Sequence, residues 1–380
     1  MHITRLELEN WRNFGKVEVP LPSRAFLVGP NASGKSNLLD AIRFLQDVAL
    51  PGGLEEAVKK RGGVSSLRCL AARQKSDIRV AAWLGDASRP NRWTYELVFN
   101  QDSQRNPVVK RERVVRDSIE VLGRPLDRDK HDNRLLSQTH LQQINSNENF
   151  REVVDTFASV RYLHLVPQII REPDRGSGRR NDPFGADFLE QLALTQKHTL
   201  NARLKRIREA LSTAVPQLRE LELWRDQAGV PHLRGKYDHW RPQGAWQTED
   251  RFSDGTLRLF GLLWSILDGS GPLLLEEPEL SLHTEVVSRL PQLFARVQSH
   301  SSRQIITTTH SADLLRDRGI GLDEVLVLVP HPEGTRVKAA KDFTELVELV
   351  HGGLSLSDAV LPHTRPPRSD QLLLFGATGS

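Results

Sequence analysis

The sequence predicts an α/β fold, a parallel sheet covered by helices on both faces. Three observations predict it. Four short apolar runs read as buried strands: residues 26–28, "PLLLEE" at 272–277, "QIITTT" at 304–309 and "VLVLV" at 325–329. Segments with apolar residues at every third or fourth position alternate with these runs, which places helices against a parallel sheet. The stretch "GPNASGKS", residues 29–36, stands where the first run gives way to a helix and fits G-x-x-x-x-G-K-[ST].

The elements follow in order. "ITRLELE" at 3–9, then Val17, Val19 and Leu21, read as two strands around a turn at 13–16. Residues 26–28 form the third strand. Leu38, Ile42, Leu45 and Ala49 lie on one face of a helix, which Pro51-Gly52-Gly53 stops. Trp93, Tyr95, Leu97 and Phe99 alternate as on a half-buried strand, and "VVKRERVVRDSIEVLG" reads as a further strand or hairpin. Residues 127–150 are polar and read as a loop with short helical pieces. Residues 171–185 read as an exposed loop, and 186–213 as helical. Leu257, Phe260, Trp264 and Leu267 mark a helix; Val286, Leu290, Leu293 and Val297 mark another. The tail "PHTRPPRSDQLLLFGATGS" is Pro-rich, then apolar, and reads as loose or as a docking segment. No a/d heptad persists over several turns, so a long coiled coil is not expected.

Composition sets bounds. With 380 residues the chain has room for two or three domain-sized units. Cys69 is the one cysteine, which excludes an intrachain disulfide and a cysteine-based zinc site. The first residues lack a signal-peptide pattern, and no apolar run approaches the roughly 20 residues that span a bilayer, so a cytoplasmic protein is expected. The net charge of +4 permits nucleic-acid binding without demanding it.

The chemistry starts at the glycine loop. Gly29, Pro30, Asn31, Ala32, Ser33, Gly34, Lys35, Ser36 and Asn37 place backbone N–H groups and a helix N-terminus around an anion. Gly29 and Gly34 let the backbone come close, Lys35 reaches the β- and γ-phosphates, and the Ser36 hydroxyl takes a place on magnesium. ATP and Mg2+ are the expected cofactors. In "PLLLEE" two carboxylates end a strand, where open α/β sheets place their ligands. Glu276 is placed to hold the magnesium through water, and Glu277 to orient or deprotonate the attacking water. On these residues alone an exposed acidic turn before Pro278 fits equally well. "RFSDGTLRLF" at 251–260 opens a helix at a Ser/Gly turn, and "ITTTHSADLL" ends a strand at His310.

Taken together, these motifs resemble the ABC-type ATPases of the RecF/SMC class. "ITRLELENWRNFGKVEVPL" resembles that class's first hairpin, "GPNASGKSN" its Walker A, "FSDGTLR" its signature, "LLLEEPE" its Walker B, "LSLH" its D-loop and "TTTH" its switch histidine. The branch is that of stand-alone bacterial AAA-family ATPases related to the ATPase half of OLD-family nucleases. The resemblance covers about 1–70 and 250–330. It implies a P-loop NTPase with an ABC-type head: a mixed sheet flanked by helices, an antiparallel β lobe and a helical insertion. Residues 1–250 then carry the N-terminal part of the head with a variable insertion at about 100–245. Residues 250–340 carry the C-terminal part, and 341–380 a C-terminal helix and loose tail.

The resemblance further implies that two heads pair head to tail around two ATP molecules. Ser253, Asp254 and Gly255 of one copy then face the γ-phosphate on Lys35 of the other. His310 contacts the γ-phosphate within its own copy, and Arg12 reaches the nucleotide from the first hairpin. The catalytic set is Glu277, Lys35 and His310. Three residues depart from the general ABC pattern: Asp254 for Gly, Glu276 for Asp and His283 for Asp. All three recur in the OLD-like branch; they are compatible with slow hydrolysis. No Q-loop residue is assigned.

The remaining question is what the ATP serves. About 50 residues follow the last strand, too few for a Toprim nuclease domain. Asp127 and Asp129 form a lone D-x-D read as a solvated loop. The resemblance implies dimerisation as the output, passed to DNA or to a separately encoded nuclease or other effector, in genome maintenance or anti-phage defence. A second reading is direct DNA binding through Arg111, Arg113 and Arg116 or Arg203, Lys205, Arg206 and Arg208; solvated charged faces explain the same residues. A third is an ATP-binding sensor that barely hydrolyses. A transporter subunit with a membrane partner is disfavoured by "ENWRNF" and "SDGTLR".

Overall fold

In chain order the strands are β1 (His2–Trp11), β2 (Phe14–Pro20), β3 (Arg24–Val28), β4 (Ile78–Gly85), β5 (Trp93–Gln101), β6 (Pro107–Arg116), β7 (Ile119–Arg124) and β8 (Arg161–Leu163). Then come β9 (Leu218–Arg225), β10 (Pro231–Tyr237), β11 (Ala245–Thr248), β12 (Leu273–Glu276), β13 (Ile305–Thr308), β14 (Val325–Val329) and β15 (Arg336–Ala339). The computed structural model describes residues 1–72, 76–171, 182, 184–240 and 245–365. The tail from 366 and most of the loop at 171–185 therefore lie outside the described residues.

The strands form three sheets. The central one has the order β15-β14-β3-β13-β12-β8, parallel except for the antiparallel edge strand β15. Its apolar runs are continuous because both faces are covered. Ala25, Leu27, Leu274, Ile306, Leu326 and Leu328 enter one core with the P-loop helix Lys35–Ala49. Phe26, Val28, Leu273, Leu275, Ile305, Val325 and Val327 enter the other, against the helix Leu290–Ser301. The period-2 geometry of a strand accounts for this division. The result is the α/β class read from the sequence, with a mixed sheet.

An antiparallel sheet of order β2-β1-β4-β5-β6-β7 packs into the first core. Trp93, Tyr95, Leu97 and Phe99 all point inward, as their alternation predicts. A third sheet, β11-β10-β9, covers the helices Lys197–Ala214 and Asp254–Leu267. Its outer side carries Trp224 and Trp246 with the Arg234 guanidinium 5.1 and 4.6 Å from their rings.

Several expectations need correction. The first hairpin turns at Arg12 and Asn13, tighter than 13–16, because Arg12 adopts φ 51° and Trp11 pairs directly with Phe14. The helix read from Val286 to Val297 is two, Thr284–Val287 and Leu290–Ser301; Pro291 opens the second, where its missing N–H costs nothing. The segment 186–213 is likewise two helices, Phe188–Leu194 and Lys197–Ala214. Asp129 is not solvated: it is buried and pairs with Arg124 at 2.9 Å, and Arg124 also reaches the buried Glu112 at 3.2 Å. A charge so far from water is tolerated because it is paired.

Of the candidate DNA contacts, Arg111 pairs with Glu96 at 2.9 Å, Arg113 with Glu120 at 2.5 Å and Arg203 with Asp268 at 2.8 Å. Arg116 lies 3.8 Å from Asp117. Among the described residues no helix is long and apolar enough to cross a membrane.

Candidate nucleotide-binding site

Parallel strands end at the same edge of a sheet. The ends of β3, β12 and β13 therefore bring together the glycine loop, Glu276–Glu277 and Thr308–His310. The loop runs from Gly29 into the N-terminus of the helix Lys35–Ala49. Lys35 is buried, and its Nζ donates to the carbonyls of Gly29 at 3.0 Å and Pro30 at 3.1 Å. Burial pushes its ammonium down to about 8, against the pull of Glu277, Glu276 and Glu279. Asn31, Ala32 and Ser36 are exposed at the loop's rim, whereas Ser33 is buried.

The loop is braced from the first hairpin. Asn13 Nδ2 donates to the Ser33 carbonyl at 2.9 Å and to Thr335 Oγ1 at 2.8 Å, and Asn13 Oδ1 accepts from Asn37 at 2.8 Å. Gly34 has φ 99°, and a Cβ there would stand 2.1 Å from Asn13 Nδ2, so a side chain would strain the backbone and displace the Asn13 amide. Arg12 turns instead to Asp40, its Nη2 donating to Oδ2 at 2.9 Å. It lines a cleft of about 940 Å³ together with Ser36, Asp40, Arg43 and Tyr162.

Ser36 and Glu276 meet: the Ser36 hydroxyl donates to Glu276 Oε1. The other oxygen, Oε2, accepts from the phenol of Tyr162 on β8. Burial and the adjacent Glu276 carboxylate push the Tyr162 phenol above its ordinary value, so it stays a donor. A hydroxyl and a carboxylate are the oxygen donors that magnesium takes, and the residues present fit that ion.

Past the strand end the chain reverses. Glu277 has φ 44°, and its N–H is pinned to Thr308 through the carbonyl at 3.2 Å and Oγ1 at 3.1 Å. Its carboxylate lies 3.3 Å from His310 Nε2. That hydrogen bond, first among the causes, holds its carboxyl below the usual range despite partial burial; charges on His310, Lys35 and His164 add to it. Glu279 Oε1 accepts from Thr309 Oγ1 at 2.5 Å and from the His310 N–H at 3.1 Å. Burial pushes the Glu279 carboxyl up.

The segment 253–255 opens the helix Asp254–Leu267. Ser253 caps it, its Oγ accepting from the Thr256 N–H at 3.1 Å. Asp254 is held by Arg171 at 2.7 Å and Gln168 at 3.3 Å. A Cβ on Gly255 would stand 2.5 Å from the Ser281 carbonyl, so this helix start packs on the turn after Glu277. His283 caps the next short helix, its Nδ1 accepting from the Glu285 N–H at 3.2 Å.

Sequence reasoning missed Asn13, Tyr162, Arg171 and Glu279. Each makes its contact across the fold, so local pattern is silent about it. The one available signal was "VRYLHLV", an apolar alternation around Tyr162.

Comparison with known proteins gives the family and the fold. The profile of the family described as "AAA domain, putative AbiEii toxin, Type IV TA system" matches residues 24–317. The "DNA replication and repair protein RecF" of Streptomyces avermitilis is 48% identical over 46 residues, 12% of this chain and 12% of that protein. The protein of the same name from Brucella abortus is 50% identical over 44 residues, 11% of this chain and 12% of that one. The chain thus spans about an eighth of the length of the curated relatives it matches.

Among solved structures, an Smc head bound to the C-winged helix domain of ScpA superposes with TM-score 0.54 at 16% identity, covering 89% of this chain and 97% of that one. An Smc head with an extended coiled coil from Pyrococcus furiosus gives 0.52 at 13%, covering 92% and 99%. The chain belongs to the AAA-domain family matched over residues 24–317, and its fold is that of the Smc heads.

Proposed function

We propose that this chain binds ATP with magnesium and hydrolyses it slowly as one of two heads that pair around the nucleotide. The observation that carries the reading is the convergence of Lys35, Ser36–Glu276 and Glu277–His310 at one sheet edge. The glycine loop's N–H groups and Lys35 hold the β- and γ-phosphates, and the phosphate charge replaces the two carbonyls that Lys35 now contacts. Magnesium, held by Ser36 and Glu276, supplies charge neutralisation on the phosphates.

Glu277 has the opposite duty. Its carboxylate is ionised at neutral pH and is placed to orient an attacking water; the His310 hydrogen bond that lowers its carboxyl also makes it a weaker base, in line with slow hydrolysis. His310 is fixed through its backbone by Glu279 and points its ring at Glu277, where it also reaches the γ-phosphate. Ser253, Asp254 and Gly255 serve the nucleotide of the opposite copy, with the anionic Asp254 offset by Arg171. The change of state between paired and separate heads is passed to DNA or to a separate effector.

The test is mass in solution for Glu277→Gln, with and without ATP, and Lys35→Ala as control. A monomer-to-dimer shift on ATP that the control lacks supports the reading. The same mass with and without ATP, in protein shown to bind the nucleotide, overturns pairing as the output.

A further inference from the structure

A glutamate carries one more free torsion than an aspartate, so a carboxylate at position 276 that must face Ser36 loses more side-chain entropy on being fixed there. The structure supplies a second anchor. We propose that Tyr162 is a positioning residue that fixes the Glu276 carboxylate toward Ser36 and so sets the magnesium affinity of the site. This rests on the reading that Ser36 and Glu276 hold that ion.

Four observations carry it. The two oxygens of Glu276 are divided: Oε1 accepts from Ser36 and Oε2 from the Tyr162 phenol. The division fixes both the position and the rotation of the carboxylate plane, which one hydrogen bond cannot do. The strand register explains how the phenol arrives. β8 runs parallel to β12 with Tyr162 opposite Leu274, two residues before Glu276. Residues two apart on a strand share a face, so the long side chain reaches forward to the carboxylate.

The ring is itself held. The Arg43 guanidinium lies 4.0 Å over it. Arg43 sits seven residues beyond Ser36 on the same helix, two turns along one face. One helix thus presents both Ser36 and the clamp on Tyr162, and the tyrosine ties that helix to the strand carrying Glu276. The phenol's hydrogen bond goes to the carboxylate and not to the glycine loop, so its effect falls on the metal side.

The experiment uses the full chain and Tyr162→Phe, which keeps the ring under Arg43 and removes only the phenol oxygen. The affinity of a fluorescent ATP analogue is measured in EDTA and across a magnesium titration, with Ser36→Ala and Glu276→Asp alongside. The expected result is unchanged binding in EDTA and about a tenfold rise in the magnesium needed for half of the metal-dependent gain. In the Glu276→Asp background Tyr162→Phe should add no further rise, because the shorter acid has withdrawn from the phenol.

If Tyr162→Phe matches the parent while Ser36→Ala shifts the titration, the positioning role is wrong and the metal reading stands. If neither variant shifts it, the metal reading itself fails and takes this inference with it. Should Tyr162→Phe not fold, Arg43→Met loosens the same ring, and an unchanged magnesium titration there overturns the proposal.

Discussion

Glu276 and Glu277 are neighbours in the chain and live in different halves of the site. Glu276 ends β12 and is tied to the helix of the glycine loop through Ser36 and to the sheet edge through Tyr162. Glu277 stands after the reversal at φ 44° and is tied to the switch segment through His310. A residue held in that backbone region costs of order 1–2 kcal/mol and persists because Thr308 pins its N–H twice. The reversal separates the two adjacent acids and, in the proposed reading, gives one the metal side and the other the water side. Glu277→Gln tests the difference most directly. Turnover should fall about 10²- to 10⁴-fold with magnesium dependence intact. Glu276→Gln should instead raise the magnesium requirement about 10- to 100-fold. Stopped-flow phosphate release across a magnesium series separates them; matching profiles for the two variants would break the comparison.

The metal half also depends on a backbone position, and the water half does not share it. Gly34→Ala must place a methyl where Asn13 now braces Ser33 and Asn37, at φ 99°. A loss of about 1–3 kcal/mol in urea unfolding is expected, together with weaker nucleotide binding. The Glu277–His310 contact comes from β12 and β13 and should survive. If Gly34→Ala leaves stability unchanged, Asn13 yields freely and is no brace.

The same division marks what was legible in the sequence. β3, β12, β13 and β14 are buried on both faces, so they read as bare apolar runs; the residues at their ends take roles only once the resemblance is added to the pattern. β9 and β10 were not legible: their outer face pairs Glu222 with Arg234 and Glu220 with Lys236, and such charge pairs make a strand look like a solvated segment. β8 is three residues long, too short for a period to show, yet it delivers Tyr162. Asp129 misled because a charged residue in a polar stretch reads as exposed, and its partner Arg124 becomes visible only when the chain folds back. Asn13 and Glu279 sit inside motifs, but what they hold, the Ser33 carbonyl and the His310 N–H, belongs to other elements.

The smallest expected effect sharpens the water half. Glu279 lies two residues past Glu277, and the environments push the two carboxyls apart: hydrogen bonding lowers Glu277, and burial raises Glu279. Glu279 Oε1 is fully used by Thr309 and His310, while Oε2 is buried with no partner among the described residues. With its folded value above the ordinary 4.5, the native state holds the proton more tightly than the unfolded state does. Stability from this group therefore falls as pH rises from 4.5 through the folded value, and the cost is complete above it. Glu279→Gln keeps an oxygen for Thr309 and the His310 N–H and carries no charge. It should be the more stable protein at pH 7, by less than the roughly 1–3 kcal/mol of an unsatisfied buried polar group, and the gain should vanish below about pH 4.5. Turnover should be kept, since His310 stays in place. Urea unfolding at pH 4 and pH 7 decides it. A Glu279→Gln protein less stable than the parent at pH 7 would mean that the carboxylate is wanted in its charged form, and that both Glu277 and Glu279 serve the water half as anions.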